Sequence, residues 1–205
     1  MSVKQSLFVQ ASPEKCSGCR ACELACFASH AFGTAPAKEA KTIGVVDLPV
    51  VPNLFVVQAA GVSAPVQCHH CEDAPCLRAC LPGAITRADG VVSVNPRRCI
   101  GCRNCALACP FGAIEICGAE TAAKIAELFG ADALQTQGGA VKHVFKCDLC
   151  AGLRDRPACV DACPNSALRL IDTEDEVTRK RISALESAPQ NPQNKTCANQ
   201  QNGGL

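Results

Sequence analysis

Cysteine is the residue type with the clearest chemistry in this chain, which has eighteen cysteines among 205 residues. Sixteen of them fall into four runs, each of which begins with a Cys-x-x-Cys pair and ends with a Cys-x-x-x-Cys pair. Thiolates are metal ligands, and several of them at such short spacings can converge on one metal centre. The runs are Cys16, Cys19, Cys22 and Cys26; Cys68, Cys71, Cys76 and Cys80; Cys99, Cys102, Cys105 and Cys109; and Cys147, Cys150, Cys159 and Cys163.

The third run, with Pro110 directly after Cys109, has the spacing of a bacterial ferredoxin that holds [4Fe-4S] clusters. In that pattern three cysteines bind one cluster and the fourth cysteine binds the neighbouring cluster, because it lies beyond a helical turn. Only eighteen residues separate the second run from the third. We therefore expect these two runs to exchange their fourth cysteines, and the first and fourth runs to do the same across the whole chain.

Four ligand sets follow from this exchange, each for one [4Fe-4S] cluster with iron as the metal. They are set 1 (Cys16, Cys19, Cys22, Cys163), set 2 (Cys68, Cys71, Cys76, Cys109), set 3 (Cys80, Cys99, Cys102, Cys105) and set 4 (Cys26, Cys147, Cys150, Cys159). Cys117 and Cys197 remain outside the sets. We expect Cys117 to be a buried thiol and Cys197 to lie in a disordered tail without a function.

Other chemistries also use closely spaced cysteines. Structural zinc uses two separate pairs of ligands, whereas the first and third runs have three evenly spaced cysteines and then a fourth, which Pro110 follows in the third run. A disulfide framework requires an oxidising compartment, and Met1 to Phe8 show no secretory signal, so we expect a cytoplasmic protein. His69 and His70 could ligate a cluster as in Rieske centres, but four cysteines are already available, which favours a role beside the cluster or simple exposure.

Net charge and composition exclude several classes of partner. Each cluster with four thiolates carries −2 when oxidised, so four clusters lower the formal charge from +1 to about −7. Basic residues near the runs suit these anions, although some are ordinary surface charges. No basic patch is combined with stacking aromatics, so we expect no nucleic acid partner. The apolar stretch 44–62 is interrupted by polar residues and prolines, which argues against membrane insertion.

The elements that hold the runs are predicted to be short. Strands are expected at Leu7 to Gln10, Leu54 to Gln58 and Val141 to Phe145, and the segment Ala113 to Ile116 is also strand-like. A helix is expected at Thr121 to Phe129. The last three runs share a tail in which alanine stands four residues after the final cysteine and an aliphatic residue follows, as in Ala84-Ile85, Ala113-Ile114 and Ala167-Leu168. Such self-similarity predicts a duplicated fold.

We therefore predict an α+β fold of two bacterial ferredoxin-like modules, each with two [4Fe-4S] clusters, related by a pseudo-two-fold duplication and interrupted by insertions. The first run and the fourth belong to the outer module, and the second and third runs belong to the inner one. The predicted divisions are an outer module (1–30 plus 141–175), an insertion with short strands (31–67), an inner module (68–117), a helical insertion (118–140), a C-terminal helix (173–188) and a disordered tail (189–205).

Together, the four runs resemble the four-cluster iron-sulfur electron-transfer (beta) subunits of molybdopterin and tungstopterin oxidoreductase complexes. The resemblance rests on Cys68-His69-His70-Cys71, on Ala108 to Glu115 and on Lys146-Cys147-Asp148-Leu149-Cys150. It is closest to the small iron-sulfur subunits of formate hydrogenlyase, hydrogen-dependent carbon dioxide reductase and tungsten aldehyde oxidoreductase. It implies four [4Fe-4S] clusters, docking on a catalytic subunit and a second redox partner such as a hydrogenase, flavoprotein or ferredoxin.

No catalytic arrangement accompanies the cysteines, since the sequence shows no phosphate-binding glycine loop and no Ser/His/Asp pattern that stands out. We therefore expect a non-catalytic electron-transfer component. Two functions of other classes are kept as alternatives: a free-standing soluble polyferredoxin, and a scaffold or maturation protein that donates clusters. Head-to-tail self-stacking into a filament is compatible with the subunit interpretation.

Overall fold

The computed structural model of the chain describes residues 7–32, 51–118, 120–121 and 144–187. Its strands are β1 (Leu7–Ala11), β2 (Leu54–Ala59), β3 (Val62–Gln67), β4 (Ile85–Ala88), β5 (Val91–Val94), β6 (Glu115–Ile116), β7 (Val144–Phe145) and β8 (Leu168–Asp172). The helices with described bounds are α1 (Ala21–Phe32), α2 (Pro75–Arg78), α3 (Asn104–Ala108), α4 (Ala158–Asp161) and α5 (Thr173–Ser187). Short 3-10 helices at Pro13–Lys15 and Pro96–Arg98 lead into the first and third runs.

The strands form antiparallel pairs, namely β1 with β8, β2 with β3, β4 with β5 and β6 with β7. The pairing of β1 with β8 places Leu7 opposite Asp172 and Ala11 opposite Leu168. This pair joins the segment before the first run to the segment after the fourth run. The first and last cysteine runs therefore meet in space although most of the chain separates them.

The core is built from aliphatic residues and cysteines, because the chain has no Trp or Tyr and seven Phe. One buried group contains Val9, Leu54, Ala113 and Leu168 together with cysteines of three runs. A second buried group contains Ile85, Val92, Ile114 and Ile116 with cysteines of the second and third runs. Cysteine side chains thus occupy positions that larger apolar residues fill in other small domains.

Several predicted elements are confirmed. The strands expected at Leu7 to Gln10 and Leu54 to Gln58 are β1 and β2, and the expected C-terminal helix is α5. Of the strand-like segment Ala113 to Ile116, only its last two residues pair, as β6. Three predictions lie outside the described residues. They are the helix expected at Thr121 to Phe129, apart from Thr121 itself, residues 141–143 of the next expected strand, and the tail at 189–205. The structure mixes helix and strand, as expected, while the duplication remains a prediction.

The chain divides into one compact unit over residues 1–172 and a second over residues 173–205. All four cysteine runs belong to the first unit. In the second unit, α5 begins with acidic residues at Glu174, Asp175 and Glu176, which are favourable at a helix N-terminus. In the part of the chain that is described, no helix has the length and apolarity needed to cross a membrane.

Candidate metal centres

Three of the four predicted ligand sets each line a cavity. All four cysteines of set 1 line one cavity with Lys15 and Arg20. All four of set 2 line a second cavity with His69 and Phe111, and all four of set 3 line a third with Ile100 and Arg103. Each cavity encloses about 320 Å³, counting the space that opens to solvent. In each cavity three of the cysteines come from one run, and the remaining one comes from the run with which it is predicted to exchange.

The cysteines of set 4 are all buried, with exposed fractions from 3 % to 7 %. Burial is the main cause that raises the pKa of the Cys159 thiol, and the neighbouring sulfur atoms of Cys26 and Cys150 raise it further. Burial likewise raises the pKa of Cys147, with smaller contributions from Cys159 and Cys26. Cys26 comes from the first run and the other three come from the fourth, so these side chains meet across the chain as well.

Each run turns at the second residue after its first cysteine. Gly18, His70, Gly101 and Leu149 occupy these positions, and all four have positive φ. In the last three, the backbone N–H of this residue donates to the sulfur of the first cysteine at 3.3, 3.4 and 3.5 Å. At Gly18 a Cβ atom would lie 2.8 Å from Ser63 Oγ, so a larger residue would have to displace this hydroxyl in addition to adopting a positive φ.

The repeated alanine tail has a direct structural role. Ala84, Ala113 and Ala167 donate their backbone N–H groups to the sulfur atoms of the final cysteines of their runs, at 3.2, 3.5 and 3.2 Å. The residue before each alanine has positive φ, which turns the N–H toward the sulfur; these residues are Gly83, Gly112 and Ser166. The three alanines are at most 3 % exposed. The repeat therefore places a hydrogen-bond donor at a cysteine in a site that has little room for a larger side chain.

The first run lacks this tail, and another segment replaces it. Cys26 lies within α1, and its sulfur accepts a hydrogen bond from the backbone N–H of Asn53 at 3.3 Å. The side-chain oxygen of Asn53 accepts from the backbone N–H of Lys146 at 3.1 Å. Asn53 thus links two segments that supply set 4. The sequence contains no local signal for this role, because the partners are distant in the chain.

His30 is a second residue that sequence reasoning missed. Its Nδ1 lies 2.8 Å from the carbonyl oxygen of Cys26, and its Nε2 lies 3.0 Å from a carboxylate oxygen of Asp148. Burial alone would lower the pKa of His30, but the hydrogen bonds to Asp148 and Cys26 raise it above its ordinary value of 6.5. Both ring nitrogens therefore act as donors, and His30 is an imidazolium beside set 4.

The two histidines of the second run differ from each other. The His69 ring is stacked between two phenylalanines, with ring centroids 5.7 Å from Phe8 and 4.1 Å from Phe111. His70 is fully buried, and its Nδ1 accepts the backbone N–H of Val92 at 3.0 Å. Burial, followed by the charges of Lys146 and Arg87, lowers the pKa of His70 to about 3. His70 is therefore neutral, and its Nε2–H is buried without a hydrogen-bond partner.

The thiols and their surroundings fit an anionic metal cluster. Burial raises the pKa of Cys22 and of Cys105 to about 11, so these thiols keep their protons near neutral pH unless a metal cation replaces them. The repeated N–H donors then stabilise the sulfur charge. The buried ammonium of Lys146 and the unpartnered Nε2–H of His70 also suit a negatively charged group nearby.

A single zinc ion fits these sets poorly. Zinc bound to sulfur at about 2.3 Å would hold four tetrahedral thiolates about 3.8 Å apart. Among the described residues, the trio whose ligand atoms lie within 4.8 Å of one another is His30, Asp148 and Cys150, and it includes only one sulfur. In the part of the chain that the structure describes, no three cysteine sulfur atoms lie within 4.8 Å of one another, which is a wider spacing than a single zinc ion would impose.

Comparison with known proteins agrees with this chemistry. The family described as "4Fe-4S binding domain" matches residues 92–115, which contain the third run. Hydrogenase-4 component A of Escherichia coli is 39 % identical over 189 residues, covering 84 % of this chain and 85 % of that protein. Formate hydrogenlyase subunit 2 of the same species is 38 % identical over 186 residues, with coverage of 82 % and 83 %.

The electron transport protein HydN of Escherichia coli is 37 % identical over 165 residues, which cover 80 % of this chain and 87 % of that protein. All three relatives are therefore matched over most of their length as well as most of this chain. The matched lengths exceed what one ferredoxin motif would need, so the similarity extends well beyond the third run. The chain belongs to this family of ferredoxin-type iron-sulfur electron-transport proteins.

Proposed function

We propose that the chain is the electron-transfer subunit of a larger oxidoreductase and relays single electrons through four [4Fe-4S] clusters, one in each set. The observation that carries this proposal is that twelve cysteines line three cavities in groups of four, with each group drawn from two runs. The influence of Cys26 and Cys150 on the pKa of Cys159 supports a fourth group. The predicted exchange of fourth cysteines between runs is part of the proposal. A protein with one cluster would not need this arrangement.

Electrostatic influence and shared packing between cysteines of different sets support a linear order of clusters. Burial is the largest cause of the raised pKa of Cys159 and of Cys147, which both belong to set 4. A smaller contribution comes from Cys22 of set 1 for Cys159 and from Cys68 of set 2 for Cys147. Cys76 of set 2 and Cys105 of set 3 belong to one buried group. We infer the order set 1, set 4, set 2, set 3. Cys19 and Cys102, in the two terminal sets, are exposed, as the ends of a relay require.

The surface at the set 3 end supports docking on a partner. Leu81 and Leu107 are each 86 % exposed, and Ile100, which lines the set 3 cavity, is 54 % exposed. Arg97, Arg98 and Arg103 are exposed in the same part of the sequence. Exposed apolar residues beside an electron exit are typical of a surface that a partner covers. This favours a subunit over a freely diffusing polyferredoxin.

For the partners, we propose a catalytic molybdopterin or tungstopterin oxidoreductase at one end and a hydrogenase, flavoprotein or ferredoxin at the other. Two relatives are named as a hydrogenase-4 component and a formate hydrogenlyase subunit, which supports membership in a redox complex. A scaffold protein that donates clusters is less well supported, because the four ligands of set 4 are buried and a donated cluster must leave easily.

The proposal is tested by anaerobic purification of the tagged full-length chain from its native source, followed by a salt wash, mass spectrometry of bound proteins, and iron and sulfide determination. Four clusters predict about sixteen iron and sixteen sulfide per chain. A stoichiometric oxidoreductase subunit should remain bound. Leu107→Glu should release a partner while keeping the iron, and Leu107→Met should retain it. A loaded chain with no bound protein supports the free polyferredoxin instead, and rapid cluster transfer to an apo-acceptor supports a scaffold.

A further inference from the structure

The residue directly before the first cysteine differs in burial among the four runs. These residues are Lys15, Gln67, Arg98 and Lys146. Lys15 and Arg98 are exposed, whereas Gln67 is 2 % exposed and Lys146 is 5 % exposed. Lys146 therefore brings a positive charge into the interior at a position where the other two cations of this group remain in water.

The Lys146 ammonium lies between set 2 and set 4. Its Nζ donates to the carbonyl oxygen of Cys147, a set 4 residue, at 2.9 Å, and also to the carbonyl oxygen of Val92. Val92 lines the set 2 cavity. Burial and the thiol of Cys68 raise the pKa of Cys76 in set 2, and the charge of Lys146 opposes this rise. One buried cation therefore acts on both sets.

In the part of the chain that the structure describes, this ammonium has no anionic partner. Among the described residues, no carboxylate lies within ion-pair distance of Nζ, and its two acceptors are neutral carbonyl groups. A buried charge without a counter-ion is costly, and two nearby anionic clusters would supply the missing negative charge. The cost of burying Lys146 is then offset when the clusters are bound.

The sign of the effect on electron transfer follows from charge. An oxidised [4Fe-4S] cluster with four thiolates carries −2, and the added electron makes it −3. A fixed cation stabilises the more negative state more strongly, and the effect is larger in the interior than at the surface, where water and salt screen it. We propose that Lys146 raises the reduction potentials of both the set 2 and the set 4 clusters. This inference rests on the proposed four-cluster function.

The experiment is an anaerobic redox titration of the loaded full-length chain, followed by electron paramagnetic resonance. Lys146→Gln removes the charge but keeps N–H donors for the Val92 and Cys147 carbonyls, and Lys146→Met removes both. Lys146→Arg keeps the charge. Lys180→Gln is the control, because it removes the same charge from an exposed position of α5 that lines none of the three cavities.

We expect two of the four potentials to shift to more negative values in Lys146→Gln and Lys146→Met, and all four to stay close to wild type in Lys146→Arg and Lys180→Gln. The inference is overturned if Lys146→Gln carries full iron and its potentials do not move, or if Lys146→Arg shifts them as far as Lys146→Gln does. If Lys146→Met fails to fold, the potentials of Lys146→Gln alone test the inference. The iron and sulfide content of the wild-type chain separates this inference from the function on which it rests, because a chain without iron and sulfide would overturn the four-cluster function itself.

Discussion

His30 and Asp148, which are 118 residues apart in the chain, are joined by a 3.0 Å contact between the imidazole Nε2 and a carboxylate oxygen. The same carboxylate oxygen accepts the backbone N–H of Cys150 at 2.9 Å, and His30 Nδ1 donates to the carbonyl oxygen of Cys26. Cys26 and Cys150 both belong to set 4. The ion pair therefore holds together the two parts of the chain that supply this set.

His30→Ala should destabilise the loaded protein by about 1–3 kcal/mol, because it removes a charge-assisted hydrogen bond from side chains that are 24 % and 32 % exposed. Anaerobic urea unfolding, together with the rate of iron release to a chelator, measures the effect. The matched control is Arg154→Ala, which removes an exposed ion pair to Asp161 at 3.8 Å and should cost less than about 1 kcal/mol. Equal effects of the two substitutions would contradict a special role for His30.

The contribution of this pair should depend on pH. The native pKa of His30 lies above its ordinary 6.5, so its contribution is complete below about pH 6.5 and is lost as the pH rises toward the native value. Burial opposes ionisation of Asp148, but His30 outweighs it and lowers the pKa of that carboxyl below 3.8. The stability difference between wild type and His30→Ala should therefore be larger at about pH 6 than at about pH 9. A difference that grows with pH would show that the pair is not ionic.

Cys109→Ser should perturb the cluster of set 2, although Cys109 lies in the third run. The cavity that Cys109 lines also contains Cys68, Cys71 and Cys76. Electron paramagnetic resonance of Cys109→Ser should match that of Cys68→Ser and differ from that of Cys99→Ser. Cys117→Ala, at a buried cysteine that belongs to no set, should keep the full iron content. A match between Cys109→Ser and Cys99→Ser would disprove the exchange of ligands.

Ser166→Gly should stabilise the protein by about 0.5–1 kcal/mol, because Ser166 has φ of +49° at a position where the equivalent tails have Gly83 and Gly112. The reverse test is Gly112→Ala, which should cost about 1–2 kcal/mol. A Cβ atom at Gly112 meets no other atom within 4 Å, so that cost comes from the backbone alone. Urea midpoints of the two variants should move in opposite directions, and movement in the same direction would argue against a shared tail geometry.

Local patterns were sufficient to predict the chemistry and several elements. The spacing of the cysteines indicates iron-sulfur binding because ligands close in sequence must wrap one centre, and this needs no knowledge of distant contacts. The strands β1 and β2 and the helix α5 are also detectable from apolar runs and terminal charges. The alanine tail is visible as a repeat, but its purpose appears only when Ala84, Ala113 and Ala167 are seen to donate to sulfur.

Contacts between distant segments could not be read from the chain. Asn53 reaches Cys26 from beyond α1, and His30 reaches Asp148 across 118 residues, in both cases without a local pattern that marks them. Burial is the other property that depends on the fold. Lys15 and Lys146 precede the first cysteines of their runs in the same way, yet one side chain lies in water and the other lies in the interior. Spacing determines which atoms can bind a metal, whereas the packing of remote segments determines which charges surround it.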